Sequence, residues 1–274
     1  MSIHLLSVED IAAAVPAGAL LGVPADYSGV PMAVTRALIR RRARSLRLFC
    51  LPSTSIQGDM LVGAGCVASI ETAAVTLGEY GLAPRFCHAV EAGSIEISDS
   101  TCPALHAQLQ ATEKGVPFLP LRGLIGTDIF RHRPDWKLSS NPFGKGEDRI
   151  VLLPATRLDV TVFHAAKADR EGNIWIGRRR ELATLAHASA QVFVTVEQVT
   201  DDSFFDSEAG AAGTLPAFYV DGIAVAEKGA WPCGIAGLYE PDGEALRTYA
   251  EAARTDEDFR AYLVDQGIVV PEPA

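Results

Sequence analysis

The sequence predicts an α/β fold: a mostly parallel sheet covered by helices in a Rossmann-like, three-layer arrangement. Three observations carry that prediction. Apolar runs of strand length alternate with helical stretches along most of the chain. Each early strand ends in a small or polar loop, and the helix that follows returns the chain to the same side, as right-handed parallel crossovers require. The composition is 48% hydrophobic but only 7% aromatic, a core of Ala, Val, Leu and Ile that suits helices laid on a parallel sheet. The 274 residues suffice for one large α/β domain or two small ones. A single domain over 1–274 is expected, with a polar flap or insertion at about 131–147 and a tail at 265–274.

Val8–Val15 reads as a short amphipathic helix and Ala19–Val23 as a buried first strand. The loop Pro24–Pro31 contains Ser28 and Gly29 and leads into a helix over Met32–Arg42. A first strand-to-helix loop of this kind lies where α/β sheets bind ligands. It is not a GxGxxG fingerprint, so no nucleotide is inferred. Leu46–Leu51 is the second strand, followed by the hydroxyl cluster Ser53, Thr54 and Ser55. Gly58–Gly65 is rich in small residues that allow close backbone packing, whether for structure or for binding. Ile70–Leu77 reads as a third strand ending near Glu79, and Pro84 opens the next helix. Glu79 could receive a hydrogen bond from substrate or cap that helix.

Residues 91–128 organise the rest. Ile95 and Ile97, two apart, mark a strand over Ser94–Ser98. Asp99, Ser100 and Thr101 are N-cap types, and Pro103 suits a first helical turn because its missing N–H costs nothing there. Ala104, Leu105, Leu109 and Ala111 form the packed side, and Lys114-Gly115 is a cationic, glycine-terminated stop. Free N–H groups at such a turn favour a carboxylate, a thioester oxygen or a phosphate, although a well-capped helix also explains the pattern. Further on, Ile150–Leu153 and Val160–His164 are strands, Asp169–Asn173 is a turn into another, Glu181–Ala190 is a helix and Val192–Val196 a strand. Gly243–Ala252 is an amphipathic helix, followed by an acidic, poorly periodic tail.

Three blocks resemble the α subunit of family I CoA-transferases, especially the glutaconate CoA-transferase type. The first comprises Glu91-Ala92-Gly93-Ser94-Ile95-Glu96, the 99–103 turn, Ala111 to Phe118, and the Gly126-Thr127-Asp128 loop. The second is His164, Ala165, Ala168, Asp169, Gly172 and Asn173. The third is Leu215-Pro216-Ala217-Phe218-Tyr219-Val220-Asp221. The resemblance covers roughly 18–265, and its three blocks are specific jointly, not singly. The resemblance implies a Rossmann-like CoA-transferase fold and a ping-pong transfer of CoA through a glutamate carboxylate. It places that nucleophile on a partner β subunit, so no catalytic residue is expected in this chain. No permanently bound cofactor is expected, and coenzyme A enters as substrate. Candidate contacts to acyl group, carboxylate or CoA are Ser28, Gly29, Ser53, Ser55, Glu79, Ser100, Thr101, Cys102, Gly126 and Thr127. After Thr101, related 3-oxoacid CoA-transferases offer a glutamine and ring-opening hydrolases on the same scaffold a glutamate. Here stands Cys102, expected to be a small side chain making room for substrate in preference to a nucleophile. The alternatives are a subunit of an acyl-CoA thioester or ring-opening hydrolase on the same scaffold, or a non-catalytic CoA-binding or scaffold subunit.

A net charge of −10 argues against nucleic acid as partner. The Arg40–Arg44 cluster reads as a solvated helix end. Five cysteines without a CxxC pair or metal-ligand spacing suit a reduced, cytoplasmic protein. No apolar run is long enough to cross a bilayer and none resembles a signal peptide. His164 is expected to be a satisfied structural histidine at a strand end beside Asp169.

Overall fold

The computed structural model describes residues 5–269. Its first half alternates strand and helix: α1 (Val8–Ala14), β1 (Leu20–Pro24), α2 (Met32–Arg40), β2 (Leu46–Leu51), α3 (Ile56–Gly63), β3 (Val67–Thr72), α4 (Pro84–Glu91), β4 (Glu96–Asp99) and α5 (Cys102–Glu113). A smaller unit follows, with β5 (Phe118–Leu121), α6 (Asp128–Arg131), β6 (Lys137–Ser140) and β7 (Arg149–Pro154). The second half holds β8 (Leu158–Asp169), β9 (Ile174–Trp175), α7 (Arg180–His187), β10 (Ser189–Thr200), α8 (Glu208–Ala212), β11 (Thr214–Leu215), β12 (Gly222–Val225), α9 (Gly243–Ala252) and α10 (Asp256–Asp265).

Seven strands run parallel in the order β12-β10-β8-β1-β2-β3-β4. Leu21 pairs with Leu48 on one side and Val160 on the other. From β1 the chain moves outward through β2, β3 and β4, then re-enters beside β1 as β8 and builds outward the opposite way. The junction of β1 and β8 is therefore the topological switch point, where loops on the two sides part and leave a crevice. Beyond the parallel region, β8 continues to Asp169 and pairs antiparallel with β9, which pairs with β11.

Helices cover both faces. One core cluster joins α1–α4, α9 and α10 to Leu21, Val23, Leu46, Leu48 and Val160. Another joins α5 and α7 to Phe49, Leu51, Phe163 and Val194 on the opposite face, as strand alternation dictates. Helix α5 is buried on two sides: Leu105 and Leu109 face the large sheet, while Ala104 and Ala107 face the antiparallel β5-β7-β6 sheet. The 131–147 stretch, read from sequence as a polar flap, thus contributes a paired strand, Leu138 opposite Val151.

Several elements differ from the sequence expectation. Strand β8 runs Leu158–Asp169 and not Val160–His164, and α7 ends at His187, with β10 beginning soon after at Ser189. The small-residue run at 58–65 lies within and just beyond helix α3, whose residues Ile56 to Val62 are all buried. A helix enclosed on every side shows no amphipathic stripe, so periodicity could not reveal it. The third strand spans Val67–Thr72, not Ile70–Leu77, and bridges such as Thr54 to Val75 hold the loop beyond it. The acidic tail contains α10: Thr255 caps it, Asp256, Glu257 and Asp258 complement its N-terminal dipole, and Phe259, Tyr262 and Leu263 pack inward. The rest of that tail, residues 270–274, lies outside the described residues.

Asp59, fully buried on α3, knits this face together. Its carboxylate accepts from the Phe86 N–H in the first turn of α4 at 2.7 Å and from the Tyr249 hydroxyl at 2.7 Å. Burial pushes its pKa up, and those hydrogen bonds oppose the rise. Tyr249→Phe leaves one carboxylate oxygen dry and unpaired, so stability should fall by about 1–3 kcal/mol. The exposed neighbour Thr248 should tolerate alanine within about 0.5 kcal/mol. Urea unfolding of both variants checks the pair of values.

Candidate active site

Three segments meet at the switch point: the loop 25–31 after β1, the turn entering α5, and the start of α7. The loop after β1 is pressed onto β8. Gly29 O accepts from His164 N–H at 2.7 Å, and a Cβ on Gly29 would stand 2.0 Å from His164 O. With φ at +82°, this position needs glycine on both counts. Ser28, 1% exposed, donates its hydroxyl to Glu181 of α7. Tyr27, exposed next door, carries the Arg179 guanidinium over its ring at 5.3 Å. Burial raises the Tyr27 phenol's pKa, electrostatic interactions with Glu181, Cys102 and Asp26 add to the rise, and Arg179 opposes it. One phenol is thus within electrostatic reach of side chains from all three segments. Asp26 is itself raised by burial, against hydrogen bonds from the Tyr27 and Asp26 N–H groups. His106 on α5 is lowered by burial, with Glu181 opposing.

The turn entering α5 has the organisation its residues specify. Ser100 N–H donates to Thr72 O at 3.0 Å, and Thr101 caps α5 by accepting from Ala104 N–H at 3.4 Å. Cys102, the first residue of α5, is exposed. Ser100 is 5% exposed, and its hydroxyl has no hydrogen-bond partner, an uncommon state for a buried donor. The helix ends at Lys114, with Gly115 at φ +66°. From the small unit, Arg133 clamps this edge by donating to Asp99 O at 3.2 Å and pairing with Glu71 at 2.8 Å and Asp135 at 2.8 Å.

Among the residues singled out from sequence, Ser28 and Gly29 lie on the loop after β1 and Thr101 and Cys102 at the mouth of α5, linked by the electrostatic effect of Cys102 on Tyr27, with Ser100 beneath the turn. Ser53 and Ser55 lie in the neighbouring loop after β2, half-buried and buried respectively. Ser55 occupies the N-cap position of α3 without making a capping bond, while Thr54 accepts from Gly58 N–H at 3.1 Å. Glu79 is exposed on a single 3-10 turn, where it bonds the Tyr80 phenol and raises its pKa. Thr127 caps α6 and donates to Leu124 O at 2.8 Å, and Gly126 takes φ +81° just before it. Sequence reasoning passed over Asp26, Tyr27, His106, Arg179 and Glu181. The available signal was Arg178-Arg179-Arg180, three cations at the start of a helix, where the dipole favours anions.

The second and third blocks prove to be scaffold. His164 is not at a strand end: it lies within β8, 1% exposed, and Asp169 does not touch it. Its Nε2 is 2.8 Å from Glu197 Oε1 and its Nδ1 2.8 Å from Thr195 Oγ1. An ionised carboxylate only accepts, so Nε2 carries the donated proton. Asp169 instead accepts from the N–H groups of Glu171, Asn173 and Phe204 and from the Asn173 amide, closing the β8–β9 turn. Asp221 accepts from Val192 N–H at 2.7 Å and aligns β12 with β10.

Glu197 also accepts from the Tyr239 hydroxyl at 2.7 Å and the Lys228 N–H at 2.7 Å, tying down the loop after β12. Burial by itself would raise its pKa, but these bonds and His164 override burial and hold it at about 2. The folded value is below the ordinary 4.5, so ionised Glu197 adds stability above that pH and loses it as pH falls through the range down to about 2. Glu197→Gln should therefore flatten this part of the acid limb and lower stability near neutral pH. Urea midpoints measured between about pH 2 and pH 7 check this.

A surface concavity of about 1170 Å³ lies elsewhere, between α10, α4 and the residues after α2, with Arg42, Arg85, Phe259 and Arg260 in its walls. At the switch-point cluster, Tyr27 and Cys102 are exposed. No known family profile matches the chain. It is 30% identical to the A subunit of the 3-oxoadipate CoA-transferase of Pseudomonas knackmussii, over 85% of this chain and 82% of that one. It is 29% identical to the A subunit of the glutaconate CoA-transferase of Acidaminococcus fermentans, over 74% and 68%. The crystal structure of that organism's glutaconate coenzyme A-transferase matches with a TM-score of 0.86 over 95% of this chain and 87% of that one, at 24% identity. The decarboxylase AibA/AibB gives 0.83 over 96% and 100%, at 29% identity. A cholesterol ring-cleaving hydrolase subunit of Rhodococcus jostii is 27% identical over 94% and 90%. An Archaeoglobus fulgidus protein is 32% identical over 85% of this chain, which spans only 52% of that protein's length. Among the described residues, no helix is long and apolar enough to cross a membrane. By fold and sequence together, the chain belongs to the family of CoA-transferase A subunits.

Proposed function

We propose that this chain is one half of a heteromeric CoA-transferase that moves CoA between an acyl-CoA and a carboxylic acid, with the nucleophilic glutamate on a partner chain. What carries the reading is the switch-point cluster, which presents hydroxyl and amide donors. Its carboxylate Glu181 is engaged by Ser28 and is not free to attack. Kinship to the A subunits of two CoA-transferases supports the same division of labour.

In this reading the partner's carboxylate attacks the thioester carbonyl carbon, the C–S bond breaks, and CoA leaves as thiolate with a mixed anhydride formed. The thiolate attacks the glutamyl carbonyl of that anhydride, releasing the first acid and leaving a glutamyl-CoA thioester. The second acid repeats these steps in reverse. Each tetrahedral intermediate carries an oxyanion, and donors already in place stabilise it without reorganisation. The Thr101 hydroxyl and the Cys102 N–H are the proposed donors on this side, since Pro103 has no N–H and the Ala104 N–H is taken by Thr101, while Ser100 is proposed to shape the turn from beneath. Cys102 supplies room beside them. Ser53, Ser55, Gly126 and Thr127 are proposed as outer contacts to the acyl-CoA, and Glu79 as a contact to substrate or partner loop.

The test is co-expression with the partner chain, followed by an acyl-CoA assay with acetate or succinate as acceptor. The complex should transfer CoA, and the isolated chain should be inactive. Activity from the isolated chain overturns the borrowed nucleophile, and CoA release at the same rate without an acceptor acid favours a hydrolase. Cys102→Ala should keep kcat within about threefold, whereas Cys102→Phe, which fills the proposed space, should lower kcat/KM by about tenfold or more.

A further inference from the structure

We propose that Arg133, on the small antiparallel unit, is a positioning residue for the transfer step: it fixes the peptide that aims the Thr101 hydroxyl and the Cys102 N–H at the oxyanion. This rests on the transferase reading above. The turn entering α5 hangs on β4, a four-residue strand that, among the described residues, pairs with β3 alone. None of its residues is fully buried, and such a segment belongs to the less stable end of a fold. One peptide closes the turn. The Ser100 N–H donates to Thr72 O at 3.0 Å, and the carbonyl of the same peptide, Asp99 O, accepts from Arg133 at 3.2 Å. A peptide is planar, so gripping it at both ends stops it from flipping, and Thr101 and Cys102 leave it in one direction.

The guanidinium that grips this peptide is itself held from several sides. It is 6% exposed, lies over the Trp136 ring at 4.2 Å, donates to both oxygens of Asp135 at 2.9 and 2.8 Å, and pairs with Glu71 at 2.8 Å. Glu71 in turn accepts from Gln108 of α5 at 2.8 Å, and Gln108 accepts from Thr156 at 3.0 Å. Strand end, turn and helix body are thereby referred to one rigid fork. Arg133 and Glu71 are largely out of water, where an ion pair adds little stability over apolar packing of the same volume. Fixed geometry is what the arrangement supplies. An oxyanion donor acts only from the correct place, and a shift of about 1 Å costs on the order of a hundredfold in rate.

The experiment uses the chain in complex with its partner, with acyl-CoA as donor and acetate as acceptor. Arg133→Lys keeps a cation beside Glu71, but one ammonium cannot also span Asp135 and Asp99 O. Its kcat should fall by about 10- to 100-fold while KM for acyl-CoA stays within about threefold. Tyr249→Phe, which loosens the opposite face of the sheet, should keep kcat and so separates placement from stability. An equal loss in Tyr249→Phe, a fall carried by KM, or an unchanged kcat in Arg133→Lys would overturn the proposal. CoA release without an acceptor would sink the transferase reading. The same kcat loss in that hydrolysis would still uphold Arg133, because both reactions pass through an oxyanion. Hydrogen exchange at the Ser100 and Ala104 N–H groups reads the turn without turnover. Arg133→Lys should speed it by about tenfold or more, with the C-terminal half of α5 unchanged. Exchange at the wild-type rate, or faster exchange throughout α5, would overturn the proposal whatever reaction the complex performs.

Discussion

The backbone contact between Gly29 and His164 is the constraint on which the site depends. It brings the loop after the first strand against β8, with 2.7 Å from N–H to carbonyl and no room for a Cβ. Because β1 and β8 lie where the sheet's order reverses, this contact sets the floor of the crevice, and Ser28 and Tyr27 stand where the bent loop places them. The buried chain from Thr195 through His164 to Glu197 and Tyr239 anchors the same strand from within. A polar network in a low-dielectric interior stabilises a fold only when every member is satisfied. Here the hydrogen bonds to Glu197 override its burial.

Keeping space open at the ligand edge is the other half of the design. Residues entering α5 offer donors and small side chains, while Arg133 fastens the turn from outside through Asp99 and Glu71. The small antiparallel sheet supports α5 from behind, so the helix mouth cannot drift from the crevice. An exposed edge held this rigidly suits a surface that another subunit completes.

Much of the architecture was legible in the order of residues. Apolar runs of strand length located β1 and β2, helical spacing located α2 and α9, and strong caps located α5. The α5 turn was legible for a local reason: Thr101, Pro103 and Gly115 have backbone and side-chain preferences that act within a few residues. Helix α3 was hidden since burial on all sides erases periodicity, and α10 was hidden since its acidic first turn looks like a solvated tail. The 164–173 and 215–221 blocks were recognisable as patterns, but their work was not. Asp169, Asn173 and Asp221 satisfy backbone groups across turns and between strands.

From its sequence alone this chain declares an α/β sheet protein with a capped strand–turn–helix at its ligand edge, because propensity, capping and hydrophobic spacing are short-range. Which side chains share the crevice was decided only by folding. Tyr27, Cys102 and Glu181 are tens of residues apart in the chain, and a crossover, not a motif, makes them neighbours. The Ser28–Glu181 bond spans 153 positions. No spacing rule reaches that far: such contacts follow from strand order and helix placement, which belong to the whole sheet and not to any stretch of it.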